Sequence, residues 1–89
     1  MTLRLRLYLA GEAPNSVAAR ENLRALLERS GNGDAELELV DVFEAPERAL
    51  EDGVIVTPTL LRLDGERPVR VVGNLSSAET ILRTLGLGS

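Results

Sequence analysis

Apolar and polar residues alternate at the start of the chain. Four leucines occupy every second position, namely Leu3, Leu5, Leu7 and Leu9. The side chains between them belong to Arg4, Arg6 and Tyr8. A period of two places successive side chains on opposite faces of a sheet, so the segment predicts a β-strand with one leucine face and one polar face.

The next apolar positions recur at helical spacing. They form one stripe made of Ala19, Leu23, Leu26 and Leu27. Pro14 suits the first turn of this helix, and either Asn15 or Ser16 is suited to cap it. The glycines at positions 31 and 33 predict its end.

A second strand and a short helix follow. The apolar positions of the strand are Leu37, Leu39, Val40 and Val42. Because a helix joins it to the first strand, we expect the two strands to be parallel, with a right-handed crossover. Pro46 can then begin a short helix that carries Ala49 and Leu50 and ends at Gly53.

The second half of the chain predicts a β-hairpin and a last helix. Residues 59–63 and 68–72 flank the pair Asp64-Gly65, which favours a tight turn between antiparallel strands. Ser76 stands three residues before Glu79, a capping-box spacing. We therefore expect a helix to begin there and to end at Gly86.

The element order βαβαββα predicts an α/β domain with a mixed four-stranded sheet and helices on both faces. This order resembles that of thioredoxin-like domains, and the resemblance implies a cis peptide bond before Pro58. In thioredoxins that proline faces a pair of cysteines. The corresponding loop here, residues 11–16, contains none, so the resemblance is to the scaffold without its redox chemistry.

Size and composition narrow the function. With 89 residues the chain has room for one domain, which we assign to residues 1–89. A net charge of −4 opposes nucleic-acid binding, and Tyr8 and Phe43 are too few aromatics for a base-stacking platform. No apolar run approaches the roughly 20 residues that cross a bilayer. We expect a cytoplasmic protein that binds neither nucleic acid nor membranes.

Cysteine and histidine are both absent from the sequence. Thiolates, imidazoles and zinc ligands of these types are therefore excluded, and so are nucleophilic triads that depend on them. Catalysis by carboxylates alone would need paired acids in a pocket, whereas the acids here follow a predicted surface. We expect no enzyme activity, no metal and no cofactor.

Acidic residues concentrate in the middle of the chain. They are Asp34, Glu36, Glu38, Asp41, Glu44, Glu47, Glu51 and Asp52. Arg48 is the one basic residue in this stretch. The stretch could steer a basic partner towards the protein. The alternative is a solvated surface that only maintains solubility.

Several motifs together resemble the KaiB family of circadian clock proteins over nearly the whole chain. Each motif alone is weakly specific, but their order and spacing match. The motifs are Leu7-Tyr8-Leu9-Ala10-Gly11, Pro14-Asn15-Ser16, Val40-Asp41-Val42 with Pro46, Val56-Thr57-Pro58-Thr59-Leu60, and Val69-Arg70-Val71-Val72-Gly73-Asn74-Leu75-Ser76.

The resemblance implies a noncatalytic protein that binds the ATPase ring of a KaiC-like protein and, in the assembled clock, a KaiA-like protein. It also implies fold switching between a thioredoxin-like monomer and a resting form, dimeric or tetrameric, whose second half is rearranged from about Glu51 onwards. Asp64-Gly65 replaces the proline-rich connection usual in the family and favours the thioredoxin-like form. The alternatives are a sensor module like those of histidine kinases and a scaffold that has lost redox activity.

Nine residues are candidates for partner binding or fold switching: Tyr8, Asn15, Glu38, Asp41, Phe43, Thr57, Pro58, Gly73 and Asn74. Tyr8 either packs under the short helix with its hydroxyl in water or marks a binding face. We interpret Phe43 as a core residue and Gly73 as a requirement of the backbone. The second strand is expected at a sheet edge, where it either accepts a partner strand or is protected by Glu36 and Glu38.

Overall fold

A computed structural model describes residues 2–87. Its strands and helices follow the predicted order: β1 (Arg4–Leu9), α1 (Pro14–Arg29), β2 (Glu36–Asp41), α2 (Pro46–Glu51), β3 (Thr59–Arg62), β4 (Val69–Val72) and α3 (Ala78–Leu85). Residues 1, 88 and 89, which the domain assignment includes, lie outside the described part. None of the helices within residues 2–87 has the length and apolar content that crossing a bilayer requires.

The four strands form one mixed sheet in the order β2-β1-β3-β4. β1 pairs in parallel with β2 and antiparallel with β3, which in turn pairs antiparallel with β4. The predicted parallel pair, hairpin and edge position of the second strand are confirmed. Because of these directions, the carboxyl ends of β1, β2 and β4 meet the amino end of β3 at one end of the sheet, which we call the carboxyl end.

The larger core lies on the face that carries α1 and α3. Its buried residues are Leu3, Leu5, Leu7, Leu9, Ala19, Leu23, Leu26, Leu27, Leu60, Leu75, Ile81 and Leu85. The alternating leucines of β1 and the apolar stripe of α1 therefore meet as the sequence predicts. Burial of each leucine or isoleucine side chain contributes about 1.5–3 kcal/mol, which makes this face the main source of stability.

The opposite face is covered by α2 and is much smaller. Its buried residues are Tyr8, Val40, Ala49 and Leu61. Tyr8 is fully buried there, so it packs under the short helix and is no exposed binding residue. The predicted exposure of its hydroxyl to water is wrong, because the hydroxyl is hydrogen-bonded to Asp52 and to the Arg48 carbonyl. Leu50, predicted as part of this helix, lies on its outer side and is 80% exposed.

The predicted side-chain caps are wrong for both long helices. In α1, Ala13 is the N-cap residue and Pro14 is the first helical residue, so neither Asn15 nor Ser16 caps the helix. The Ser16 hydroxyl instead accepts a hydrogen bond from the Ala10 amide at 2.9 Å. Ser77 precedes α3 without a side-chain cap, so the capping box predicted from Ser76 does not form.

Glu79, the other half of that predicted box, accepts a hydrogen bond from Arg83 at 2.9 Å. The end of α3 follows the prediction, since Gly86 adopts a left-handed conformation with φ of 75°. A residue without a Cβ occupies this conformation without strain, which is why glycine is favoured at helix ends.

The hairpin connection is longer than the predicted tight turn, because β3 ends at Arg62 and β4 begins at Val69. Asp64 has a different role in it. Its carboxylate accepts two hydrogen bonds from Arg62, at 3.0 and 3.1 Å, and one from the Arg4 amide at 3.2 Å. Arg62 also donates to the Leu85 carbonyl at the end of α3. The connection thereby joins β1, the hairpin and the last helix.

Candidate partner-binding surface

Most of the candidate residues meet at the carboxyl end of the sheet. Asp41 is the last residue of β2, Asn15 lies in the first turn of α1, and Thr57 and Pro58 precede β3. Gly73 and Asn74 directly follow β4. The topology brings these segments together, because each of them adjoins the same end of the sheet.

Phe43 also lies at this end, but it is 75% exposed, so the interpretation as a core residue is wrong. The chain turns immediately after β2, where the Asp41 carboxylate accepts a hydrogen bond from the Phe43 amide at 2.9 Å. The ring then projects beyond the sheet and lies over Gly11, where an added Cβ would be 3.6 Å from a ring carbon.

The segment between α2 and β3 exposes two more apolar side chains. Val54 turns inwards and packs on the small core, while Ile55 is 93% exposed and Val56 is half exposed. The Thr59 hydroxyl donates a hydrogen bond to the Val56 carbonyl at 2.6 Å. The Thr57-Pro58 peptide bond is cis, as the thioredoxin-like resemblance implies.

Gly73 and Asn74 connect this end of the sheet to its neighbours. The Gly73 amide donates to the Pro58 carbonyl at 3.0 Å, and the glycine has φ of 123°, which supports its assignment to backbone geometry. The Asn74 carbonyl accepts a hydrogen bond from the Asn22 side chain at 2.9 Å, and its Oδ1 accepts from the Ser76 amide at 3.1 Å. Both residues thus fix the path from β4 to α3.

Tyr8 and Glu38 belong to a different group, a charged network beside α2. The Glu38 carboxylate accepts hydrogen bonds from Arg48 at 2.8 Å and from Arg6 at 2.7 Å. Arg6 also donates to Asp52 at 2.9 Å. Arg48, and then Arg6, lower the pKa of Glu38 to about 2.

The Tyr8 hydroxyl completes this network. It donates to the Asp52 carboxylate at 2.5 Å and also lies 3.0 Å from the Arg48 carbonyl. Burial, and then the hydrogen bond to Asp52, raise the pKa of Tyr8 to about 12. The same hydrogen bond is the main cause of a lowered pKa of Asp52. The network therefore holds α2 against the sheet and keeps its members in fixed charge states at neutral pH.

The arrangement offers no reactive group in the loop where thioredoxins carry theirs. Ser16 carries the one hydroxyl in this loop. It is buried and already accepts a hydrogen bond from the Ala10 amide. A serine nucleophile also needs a nearby base, and the sequence contains no histidine. Among residues 2–87, no group of three or more acidic side chains is placed to hold a metal ion.

Besides Phe43, sequence reasoning did not identify five residues within 2–87 as exposed apolar side chains. They are Leu39, Leu50, Ile55, Val56 and Val72. Val72 stands opposite Thr59 in the hairpin register, so it lies at the carboxyl end as well. A signal was available in the run of residues 54–56, which is apolar but follows the short helix without the alternation or length of a strand.

The sequence is similar to known proteins over most of its length. The sequence profile of the KaiB domain family matches residues 6–87. The chain is 40% identical over 83 residues to the circadian clock oscillator protein KaiB of Prochlorococcus marinus strain MIT 9312, which covers 93% of this chain and 79% of the relative.

The fold is similar to that of solved structures at lower sequence identity. The N-terminal domain of SasA from Synechococcus elongatus has a TM-score of 0.77 and 17% identity, covering 100% of this chain and 88% of that chain. Thioredoxin 1 from Thermosipho africanus has a TM-score of 0.73 and 21% identity, covering 93% of this chain and 90% of that chain. These structures confirm a thioredoxin-like fold, and the sequence matches show that the chain belongs to the KaiB family.

Proposed function

We propose that this chain is a noncatalytic, KaiB-type component of a timing system and that it binds a KaiC-like ATPase ring. Membership of the family of clock oscillator proteins supports this proposal. The observation that carries it is the exposed apolar surface at the carboxyl end of the sheet. It consists of Phe43, Ile55, Val56 and Val72, and we call it the apolar end.

Exposed apolar side chains of this size favour association with another protein. Burying the side chain of Ile55 or Phe43 would contribute about 1.5–3 kcal/mol to binding before the cost of ordering. These side chains all adjoin one end of the sheet, and exposed apolar residues gathered in one region of a small protein are typical of a contact surface. Ser16 lies near this end of the sheet, but its side chain is buried. The apolar end therefore does not border a reactive group.

The acidic residues around the apolar end define the charge of the partner. Glu44 and Glu47 are exposed beside Phe43 and at the start of α2. They would attract a basic surface and repel an acidic one, which affects specificity and association rate more than affinity. We therefore propose that the matching ATPase presents basic residues around an apolar groove.

The edge of β2 is the alternative contact. Leu39 is 41% exposed on this strand, and an unpaired strand edge can accept a partner strand. Glu38 is not free to protect this edge from a partner strand, because its carboxylate forms ion pairs with Arg6 and Arg48. Leu39 lies within β2 and Ile55 lies in the segment between α2 and β3, so mutations at the two positions test the two surfaces separately.

Binding of the KaiC-like ATPase ring of the same organism tests the proposal. We expect Ile55→Ser to weaken binding by about tenfold, because the variant loses roughly 1.4 kcal/mol of apolar burial. Leu39→Ser is the matched control, an exposed aliphatic residue changed in the same way on the other surface. Calorimetric titration of the ring with wild type and both variants measures the effect.

Two results would contradict this assignment. Absence of binding by the wild-type chain would remove the proposed partner. Loss of binding in Leu39→Ser, with Ile55→Ser unaffected, would move the contact to the edge of β2.

We further propose that the thioredoxin-like form is the binding form and that it dominates in solution. The hydrogen bonds of Asp64 to Arg62 and Arg4 join the hairpin to the first strand and support this state. NMR secondary chemical shifts measure it directly. Helical shifts over residues 78–85 are expected, whereas extended shifts there would show that a rearranged second half prevails.

A further inference from the structure

One row of side chains crosses the α2 face of the sheet at the level where α2 ends. Strand register places Glu38 beside Arg6, Arg6 beside Leu61, and Leu61 beside Arg70. Paired residues share a face, so an arginine flanks Leu61 on each side. The end of α2 lies over this row, because Arg6 bonds the Asp52 carboxylate at 2.9 Å.

Arg70 contacts the same end of α2 through the main chain. Its guanidinium donates to the Asp52 carbonyl at 2.7 Å and to the Gly53 carbonyl at 2.8 Å. Carbonyl groups at a helix end lack partners within the helix and carry partial negative charge, so a cation is favoured there. One planar guanidinium serves two successive carbonyls, which fixes their relative orientation.

Gly53 allows the turn that presents these two carbonyls. It has φ of 68°, a conformation that would strain a residue with a side chain. An added Cβ would lie 3.6 Å from the Arg70 guanidinium, which is an ordinary van der Waals distance. The positive φ of the turn, and not the space beside Arg70, therefore favours glycine here.

The contact fixes one end of the segment that displays Ile55. At the start, Arg70 holds the carbonyls of residues 52 and 53, and the Val54 amide donates to the Ala49 carbonyl at 2.8 Å. At the other end, the Thr59 hydroxyl holds the Val56 carbonyl. Ile55 lies between two fixed points, although its side chain has almost no contact of its own to hold it in place.

We infer that Arg70 is a positioning residue for partner binding: it orders residues 53–57 and so presents Ile55 and Val56 in a fixed conformation. The inference rests on the proposed function, since it concerns the same apolar end. Its physical basis is preorganisation. A segment that is already ordered loses less conformational entropy on binding. Arg70 acts from β4 and need not touch the partner.

Amide ¹⁵N relaxation and ring binding test this role together. In the wild type, order parameters of Ile55 and Val56 should be about 0.8, and in Arg70→Gln they should fall below about 0.6. If only a fifth to a tenth of molecules then hold the binding conformation, the Kd for the KaiC-like ATPase ring rises about five- to tenfold.

Two further variants isolate the contact. Arg70→Lys keeps the charge but cannot bond both carbonyls through one planar group, so it should show an intermediate loss of order. Arg67→Gln is the control, because it removes the same charge from the exposed hairpin connection. We expect its order parameters and Kd to match the wild type.

The outcomes separate this inference from the proposed function. Unchanged order parameters at Ile55 and Val56 in Arg70→Gln would overturn the positioning role. A loss of order that extends equally to Leu60 would also overturn it, since Arg70 would then only stabilise the whole domain. A wild-type chain that fails to bind the ring would instead contradict the proposed function, and the relaxation data would still decide the role of Arg70.

Discussion

The two faces of the sheet hold their helices by different means. On the face of α1 and α3, leucines from β1, α1, β3 and α3 form one apolar core. On the face of α2, the buried apolar cluster has four residues, and the end of the helix is held by Arg6, Arg70 and Tyr8 through hydrogen bonds. The first face relies on apolar burial and the second on directed polar contacts.

This difference explains how so small a domain can expose apolar residues. The leucine core supplies enough stability for the fold, so α2 and the segment after it need not bury every apolar side chain. Leu50 and Ile55 remain outside, while the polar contacts keep their backbone in place. The proposed function then assigns partner binding to residues outside the leucine core.

The largest effect is expected from a cavity in the leucine core. Leu7 is fully buried in the centre of β1, and Leu7→Ala should lower the free energy of unfolding by about 3–4 kcal/mol through lost burial and an unfilled cavity. Urea unfolding followed by circular dichroism measures the change. A loss below about 1 kcal/mol would show that this face does not carry the stability of the domain.

The leucine face was predictable from the sequence because its pattern is local. The alternating leucines of β1 and the stripe of α1 each identify their buried side without reference to the rest of the chain. Element order and parallel pairing follow from the same patterns. The helix caps were not predictable in this way. The side chains of Asn15, Ser16 and Ser76 can all accept a hydrogen bond from an amide, but the path of the backbone decides whether an amide is within reach.

The α2 face was less predictable because its contacts are distant in sequence. The partner of the Tyr8 hydroxyl, Asp52, is 44 residues away, so the pattern of β1 could not show whether Tyr8 is buried. Phe43 was misassigned because apolar character predicts burial only while the strand continues. Asp41 ends that strand by bonding the Phe43 amide, and the ring leaves the sheet.

A smaller effect is expected on the α2 face from Tyr8→Phe. The variant keeps the buried ring but removes the hydroxyl from the Asp52 carboxylate, and should lose about 1–2 kcal/mol of stability at pH 7. Because this hydroxyl lowers the pKa of Asp52, its contribution is present above the usual aspartate range near pH 4 and declines as the pH falls further. Urea unfolding of both proteins at several pH values measures the difference.

A difference between wild type and Tyr8→Phe that stayed constant down to pH 2 would contradict this account. It would mean that the hydroxyl stabilises the domain through the Arg48 carbonyl, 3.0 Å away, since a carbonyl does not titrate. The contribution of Tyr8 to holding α2 would then come from a neutral hydrogen bond and not from one to a carboxylate.

The smallest effect on stability is expected from Phe43→Ser, which tests whether the apolar end contributes to the stability of the fold. Its ring is three-quarters exposed, so the free energy of unfolding should change by less than about 0.5 kcal/mol. Removal of a buried phenylalanine would cost about 3–5 kcal/mol. Urea unfolding distinguishes these two values. A loss of about 3–5 kcal/mol would show that Phe43 is part of the core. A near-zero change alongside weaker binding to the ATPase ring would separate contact residues from folding residues within the same sheet, because the exposed ring would then serve only the partner.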